Sequence, residues 1–259
     1  MSVISPQRTD TQTGCYLYAI IAGADQEQLG ALGSCGINGG LVYGIPNEDL
    51  VAVVSDIPHD KLRPERRRLA AHHDVLKQIL ARGTLLPMAF GIIADGRQSI
   101  ERILALNHQA FTEQLVRLEG KVEMGLRVAW DVPNIFEYFV TTHLELQALR
   151  DRVFWGGREP TRDDSIELGR QFDRTLTQER ELQTEKVLGT LQGHCVELKE
   201  NKPRNEREVM NLACLIRRDA AKDFEHGVFE TAAQFDHNYA FDFNGPWPAH
   251  NFVEVDLQT

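Results

Sequence analysis

The first stretch that could bind a ligand is rich in glycine and reads GALGSCGINGG over residues 30–40. Glycine-rich loops hold phosphate groups when they have the order GxxxxGK[ST] or GxGxxG and a helix begins directly after them, because its N-terminal N–H groups attract anions. Neither order occurs here, and the residues that follow, LVYGI, favour a strand. We therefore expect a flexible connector rather than a phosphate site.

Two pairs of neighbouring residues could supply a base, a nucleophile or metal ligands. His72 and His73 lie on a predicted helix, where adjacent side chains point about 100° apart and do not easily chelate one ion. His194 and Cys195 lie on a predicted strand, where adjacent side chains face opposite ways, so this histidine does not reach the thiol. A half-buried histidine bonded to a strand is the main expectation, and metal binding or general-base work at 72–73 is the alternative. We predict no catalytic residue, no metal site and no cofactor.

The charged residues indicate ordinary surface roles. Arg66, Arg67 and Arg68 form one basic cluster on a predicted helix, and Asp163 and Asp164 begin another helix, where negative charge favours the N-terminus. The net charge of −10 argues against a general nucleic-acid-binding protein, since neutralising phosphates requires a basic surface. No run of about 18 apolar residues occurs, so we expect no membrane-spanning segment.

The cysteines indicate a cytoplasmic protein. Cys15, Cys35, Cys195 and Cys214 show no CxxC spacing and lie mostly among apolar residues. This pattern is typical of reduced, packed thiols rather than of a zinc site or a disulfide framework. The opening residues, MSVISPQRTD, lack the apolar core of a signal peptide, which agrees with a cytoplasmic location.

The elements that position these residues fall into two groups that meet near residue 119. The first half follows an order that fits no common motif: strands at 14–23 and within 41–58, a helix at 62–83, a strand at 84–93 and a helix at 97–118. Pro87 favours a sheet edge or the start of its strand. The second half predicts a strand ending at 130, helices from Pro133 to 154 and over 163–192, strands at 194–201 and 208–218, a helix at 220–235 and a strand from Tyr239.

The fold class expected from these patterns is α+β, with two domains and a flexible N-terminus over residues 1–13. Residues 14–118 form an N-terminal α+β domain of uncertain topology, and residues 119–259 have the split βαβ order of a ferredoxin-like domain with an inserted helix. Net charge supports the division, since it is −1 over residues 14–118 and −9 over residues 119–259.

Three stretches together carry a more specific signal than any single motif. They are RLAAHHDVLKQILARGTLLPMAFG at 68–91, VEMGLRVAW at 122–130 and NGPWPAHNFV at 244–253. Their order and spacing resemble the GvpF/GvpL family of gas vesicle proteins, over essentially everything after residue 14. Ala89, Ala249 and His250 depart from the residues that are common in the family at these positions.

The resemblance implies a non-enzymatic accessory or minor structural protein that supports gas vesicle assembly. Its implied partner is the small, hydrophobic shell protein, other gas vesicle accessory proteins are further expected partners, and its implied location is the gas vesicle in the cytoplasm. The alternative is a small-ligand-binding regulator or an enzyme on a ferredoxin-like scaffold, because that fold hosts many chemistries. A deep pocket with convergent polar groups near His72, His73 or His194 would favour the alternative.

Two groups of residues follow from this interpretation. The near-neutral N-terminal domain is the expected docking domain, and its apolar edge strand supplies the predicted contacts with the shell protein: Leu86, Pro87, Met88 and Phe90. The closing stretch contains no acid–base pair, so we interpret it as a structural corner in which a buried Trp247 pins the C-terminus: Gly245, Pro246, Trp247, Pro248 and Phe252. A hook for a partner is the other interpretation of the same stretch.

Overall fold

The structure is a computed structural model that describes residues 13–58, 62–157 and 159–258. The flexible N-terminus predicted for residues 1–13 therefore lies almost wholly outside the described residues. The chain divides into two compact units, here called unit 1 (residues 1–123 and 246–259) and unit 2 (residues 124–245). This division differs from the predicted domains because the C-terminal segment returns to the first unit.

Unit 1 is built on an antiparallel sheet with the strand order β2-β3-β1-β4, in which β5 also pairs with β1. Every residue of β1 from Gly14 to Ile21 is buried, as its continuous apolar run predicts. The predicted strand at 84–93 is two short pieces, because Pro87 has no N–H to extend the ladder and Gly91 turns the chain at φ 97°. The strands are β1 Thr13–Ala22, β2 Val42–Asn47, β3 Leu50–Pro58, β4 Leu86–Pro87 and β5 Ile93–Ala94.

The helices of unit 1 are α1 Arg66–Leu80, α2 Arg97–Leu106 and α3 His108–Leu118. α1 begins after Glu65, whose backbone is still extended, and buries the face that carries His72, Val75, Leu76, Ile79 and Leu80. The single helix predicted over 97–118 is divided at Asn107, whose side-chain amide donates to the carbonyl of Ile103 at 2.8 Å. A side chain that bonds to the local backbone in this way competes with the helical hydrogen-bond pattern.

The glycine-rich stretch is held against the sheet of unit 1. The N–H of Ile37 donates to the hydroxyl of Tyr18 at 2.8 Å, and this hydroxyl lies 2.9 Å from the hydroxyl of Ser55. A Cβ on Gly36 would lie 2.7 Å from the carbonyl of Gly40 and 2.8 Å from the Tyr18 hydroxyl. Glycine is therefore required here for close packing, which a flexible connector would not require.

Unit 2 has a four-stranded sheet with the order β7-β8-β6-β9. Its first and third strands lie in the middle and its second and fourth at the edges, which is the order that a split βαβ pattern gives. The predicted helix at 133–154 is divided at His143, where φ is −120°. The elements are β6 Lys121–Trp130, α4 Ile135–Thr142, α5 Leu144–Val153, α6 Arg162–Leu191, β7 Glu197–Asn201, β8 Glu208–Arg217, α7 Ala221–Ala232 and β9 Tyr239–Trp247.

The predicted α+β class, with two antiparallel sheets, is thus confirmed, while the exact ferredoxin-like assignment stays a prediction. No helix within the described ranges is long and apolar enough to cross a membrane. Unit 2 buries its own core, in which Trp130 packs edge-on against Phe139 at 5.2 Å between ring centroids.

The closing corner differs from its prediction in the residue that is buried. Gly245 has the expected positive φ, 134°, but Trp247 keeps 38% of its surface exposed. Pro248 is buried and Phe252 is 0% exposed, so Phe252 is the side chain that fills the core of unit 1. The prediction of a buried Trp247 is wrong because the two prolines fix the backbone path without directing the indole inward.

This difference predicts unequal losses of stability. Phe252→Ala removes a fully buried ring and should lower the free energy of unfolding by about 3–5 kcal/mol. Trp247→Ala should cost less than half as much, because water already reaches this side chain. Urea denaturation followed by far-ultraviolet circular dichroism measures both values. Equal losses would restore Trp247 as the residue that locks the corner.

Candidate functional site

The predicted contact strand is largely internal. Leu86 and Met88 are 0% and 4% exposed, and Pro87 is buried as well. Leu86 pairs with Ile20 of β1, at the end of the sheet order, so the prediction of an edge position is correct. These three side chains nevertheless do not offer a surface to a partner, because they pack into the core. Of the four predicted contact residues, Phe90 alone is partly accessible.

His72 joins this strand to the core of unit 1. Its Nδ1 lies 2.8 Å from the hydroxyl of Tyr16, which also accepts a hydrogen bond from the N–H of Gly91 at 3.1 Å, and its ring bonds to the carbonyl of Met88. Burial, followed by the neighbouring His73, lowers the pKa of His72 to about 4. His72 is thus a neutral core histidine bonded to a strand, as the main expectation had it, but it is fully buried rather than half-buried, and both contacts engage its ring within the core.

An accessible surface lies beside this histidine, and residues from two of the three resemblance stretches form it. The ring of Phe90 lies 5.8 Å from that of His72, and the exposed His73 lies 6.3 Å from His250. His250 follows the partly exposed Trp247 by three residues. We call Phe90, His73, Trp247 and His250 the signature surface.

The third resemblance stretch holds this surface in place through a buried carboxylate. Glu123 of β6 is 7% exposed and accepts hydrogen bonds from the backbone N–H of Asn251 at 2.9 Å and from its side-chain amide at 2.6 Å. Burial raises the pKa of Glu123, and the two bonds from Asn251 act against that rise. Asn251 directly follows His250, so this bidentate contact fixes the position of the signature surface.

Two more contacts attach the C-terminal segment to the α2–α3 region. Asn107 donates its side-chain amide to the carbonyl of Gln258 at 2.8 Å and accepts from the N–H of Gln258 at 2.9 Å. Arg117 donates to the carbonyl of Phe252 at 2.7 Å. These side chains satisfy backbone groups of the C-terminal segment that a neighbouring strand would otherwise bond. Sequence reasoning missed Glu123, Asn107 and Arg117, and the one available signal was a carboxylate inside the apolar run VEMGL.

The remaining candidates have structural partners. His194 lies in a turn after α6 rather than on a strand, 3.1 Å from Asp223, and its ring packs on Gly227, where a Cβ would approach to 2.5 Å. Asp164 completes a capping box with Thr161 at the start of α6, as the prediction of a capping role requires. The histidine therefore packs against α7 instead of facing Cys195.

Within the described ranges, one group of side chains could hold a metal ion: Glu48, Asp49 and His108. His108 Nε2 lies 2.5 Å from the carboxylate of Asp49 and 3.3 Å from that of Glu48. All three groups reach solvent, and the histidine contacts both acids directly. We interpret this arrangement as an ion pair between the β2–β3 turn and the start of α3. Exposed acidic groups are common without a metal ion, so the cluster alone does not indicate a metal site.

Glu123 yields a prediction about pH. A folded-state pKa above the unfolded value means that the folded chain binds more protons, so stability decreases as pH rises from the unfolded pKa through the folded one. Glu123→Gln removes this penalty and, once the Asn251 amide turns over, keeps both hydrogen bonds. The free energy of unfolding of Glu123→Gln should equal or exceed that of the wild type at pH 7, whereas Glu123→Ala should lower it by about 1–3 kcal/mol. Urea denaturation at pH values from 4 to 7 measures these free energies. A Glu123→Gln variant as unstable as Glu123→Ala would contradict the raised pKa assigned to Glu123.

His72 yields a prediction of opposite sign. Because its pKa is lowered, the unfolded chain binds the proton first, so the wild type loses stability as pH falls from 6.5 towards 4. His72→Gln loses packing at pH 7 but carries no such penalty. The stability gap between wild type and variant should narrow by about 3 kcal/mol over this window. A gap that stays constant would show that His72 titrates normally.

Comparisons with known proteins identify the family of this chain. The family model for "Gas vesicle synthesis protein GvpL/GvpF" matches residues 14–254. A gas vesicle protein F from Streptomyces sp. is 30% identical over 207 residues, which cover 79% of this chain and 84% of that protein. The corresponding protein from Nostoc sp. is 24% identical and covers 94% and 99% of the two chains.

Solved structures show the same fold. The crystal structure of GvpF from Anabaena sp. superposes with a TM-score of 0.76 at 23% identity, over 94% of this chain and 99% of that one. The crystal structure of GvpF from Microcystis aeruginosa superposes with a TM-score of 0.75 at 22% identity, over 93% of this chain and 99% of that one. The family match spans both units and all three stretches. The chain therefore belongs to the gas vesicle synthesis protein GvpL/GvpF family.

Proposed function

We propose that this protein is a non-enzymatic accessory or minor structural component of gas vesicles that binds their hydrophobic shell protein and supports assembly. The proposed contact is the signature surface of unit 1. The observation that carries the proposal is the convergence of the resemblance stretches: Glu123 fixes the C-terminal segment, and this segment brings His250 against His73. The proposed site of action is the gas vesicle within the cytoplasm.

The composition of the surface supports an apolar partner. Trp247 is 38% exposed and Phe90 is partly exposed, and aromatic side chains are enriched where proteins bind one another. The C-terminal segment is bonded to Glu123, Asn107 and Arg117, so little conformational entropy remains to be lost on binding. This surface replaces the buried side chains of Leu86, Pro87 and Met88 as the proposed contact.

The alternative of a ligand-binding regulator or an enzyme receives less support. His72 has both nitrogens bonded within the core, and His194 lies between carboxylates and the glycine of a neighbouring helix. Neither histidine faces a chamber with a free nitrogen, which general acid–base work requires.

The proposal predicts that charge on the signature surface prevents binding. The full-length double variant His73→Asp/Trp247→Asp is co-expressed with a hydrophobic shell protein. It should retain the fold but capture at least about tenfold less shell protein than the wild type, because buried aromatic contacts dominate such interfaces. Quantitative pull-down measures the captured amount, and circular dichroism checks the fold.

A matched control comes from unit 2, where Leu144 and Trp155 are 81% and 79% exposed. The variant Leu144→Asp/Trp155→Asp introduces the same charges on an exposed apolar pair and should capture the shell protein as the wild type does. Loss of capture in this control, with normal capture by the unit 1 variant, would move the contact to unit 2 and overturn the assignment.

A further inference from the structure

A groove runs along α6 in unit 2, between this helix and the strands β7 and β8. Two adjoining cavities of about 300 Å³ and about 520 Å³ form it, and both are lined by Leu188 of α6 and Glu200 of β7. Val196 is 53% exposed and lies in the same lining as Leu198. The floor of the groove therefore includes apolar side chains that water reaches, alongside polar groups.

The strand beside the groove is the end of its sheet. β7 pairs with β8 in antiparallel register from Glu197↔Leu215 to Asn201↔Asn211, and it has no second strand within the described part of unit 2. An edge strand presents backbone N–H and C=O groups that an extended peptide can continue. β7 is short and half-exposed along most of its length, so its free edge is open to an added strand, which would run beside the second of the two cavities.

The walls of the groove carry negative charge. Glu181 and Glu185 lie one helical turn apart on α6, and Glu200 faces them from β7. The basic residue in the lining, Arg180, is already engaged, because it donates to the carbonyls of Asn205, Glu206 and Glu208 at 2.9–3.1 Å. An acidic wall over an apolar floor suits a strand in which lysine or arginine alternates with aliphatic residues.

We infer that this groove binds an extended basic–aliphatic segment of a partner protein, which adds as a strand to the free edge of β7. Backbone hydrogen bonds to β7 supply the pairing, aliphatic side chains cover Leu188, Val196 and Leu198, and cationic side chains reach Glu181, Glu185 and Glu200. The site lies wholly in unit 2 and is independent of the proposed shell-protein contact in unit 1.

The test uses the full-length protein and a fluorescein-labelled ten-residue peptide that alternates lysine and valine. Fluorescence anisotropy should show saturable binding that weakens as salt is raised. The same peptide with N-methyl groups on alternate backbone nitrogens, and a glutamate–valine peptide, should each bind at least about tenfold more weakly. The first change removes donors from the added strand, and the second reverses its charge.

Variants locate the site. Glu181→Lys/Glu185→Lys should weaken binding of the lysine–valine peptide at least about tenfold, while the control Glu145→Lys/Glu225→Lys, with the same change in net charge at exposed positions outside the groove, should leave it nearly unchanged. Equal losses in both variants would show non-specific attraction, and equal binding of the N-methylated peptide would exclude strand addition. No binding at millimolar peptide would overturn the inference outright.

Discussion

A buried carboxylate, that of Glu123, fixes the position of the C-terminal segment. Glu123 lies at the last position of unit 1 before the chain enters unit 2, and it accepts both hydrogen bonds that Asn251 offers when the chain returns. This contact acts together with the bonds from Asn107 and Arg117 to hold the residues after Gly245 in unit 1. Within this segment Phe252 fills the core of unit 1, and the ring centroid of His250 lies 6.3 Å from that of His73 on α1. Burying this carboxylate costs free energy, and the two hydrogen bonds from Asn251 offset part of that cost while they fix the C-terminal segment.

Much of the architecture could be predicted because it depends on local pattern. The apolar run of β1, the amphipathic face of α1 and the strand–helix order of unit 2 all follow from side-chain periodicity. The helix breaks at Asn107 and His143 were not predicted; Asn107 bonds locally to Ile103, but its contact with Gln258 and that of His143 with Glu179 join residues distant in sequence. The burial of Phe252 rather than Trp247 is likewise a result of tertiary packing, which local sequence pattern does not report. Periodicity cannot report a hydrogen bond across 128 residues.

The same distinction between local pattern and distant contacts applies to the candidate contact residues. The motif PMAFG was recognisable as an edge strand, but its apolar side chains turn inward, because a strand beside β1 must complete the core of the sheet. What remains accessible is Phe90, where the strand ends, together with side chains from the helix and from the returning segment. The stretches that resemble the family come together in unit 1, where Glu123 bonds to Asn251 and the ring of His73 lies beside that of His250. Unit 2 carries most of the acidity and offers a different surface, an acidic groove with an open strand edge.

The central claim is that the returning C-terminal segment and α1 together form the contact with the shell protein. Hydrogen–deuterium exchange of the full-length protein, with and without bound shell protein, tests this claim most directly, because it reports protection along the whole chain. We expect slower exchange on binding in residues 68–91 and 246–253, with exchange in unit 2 unchanged. Protection confined to residues 124–245 would contradict it.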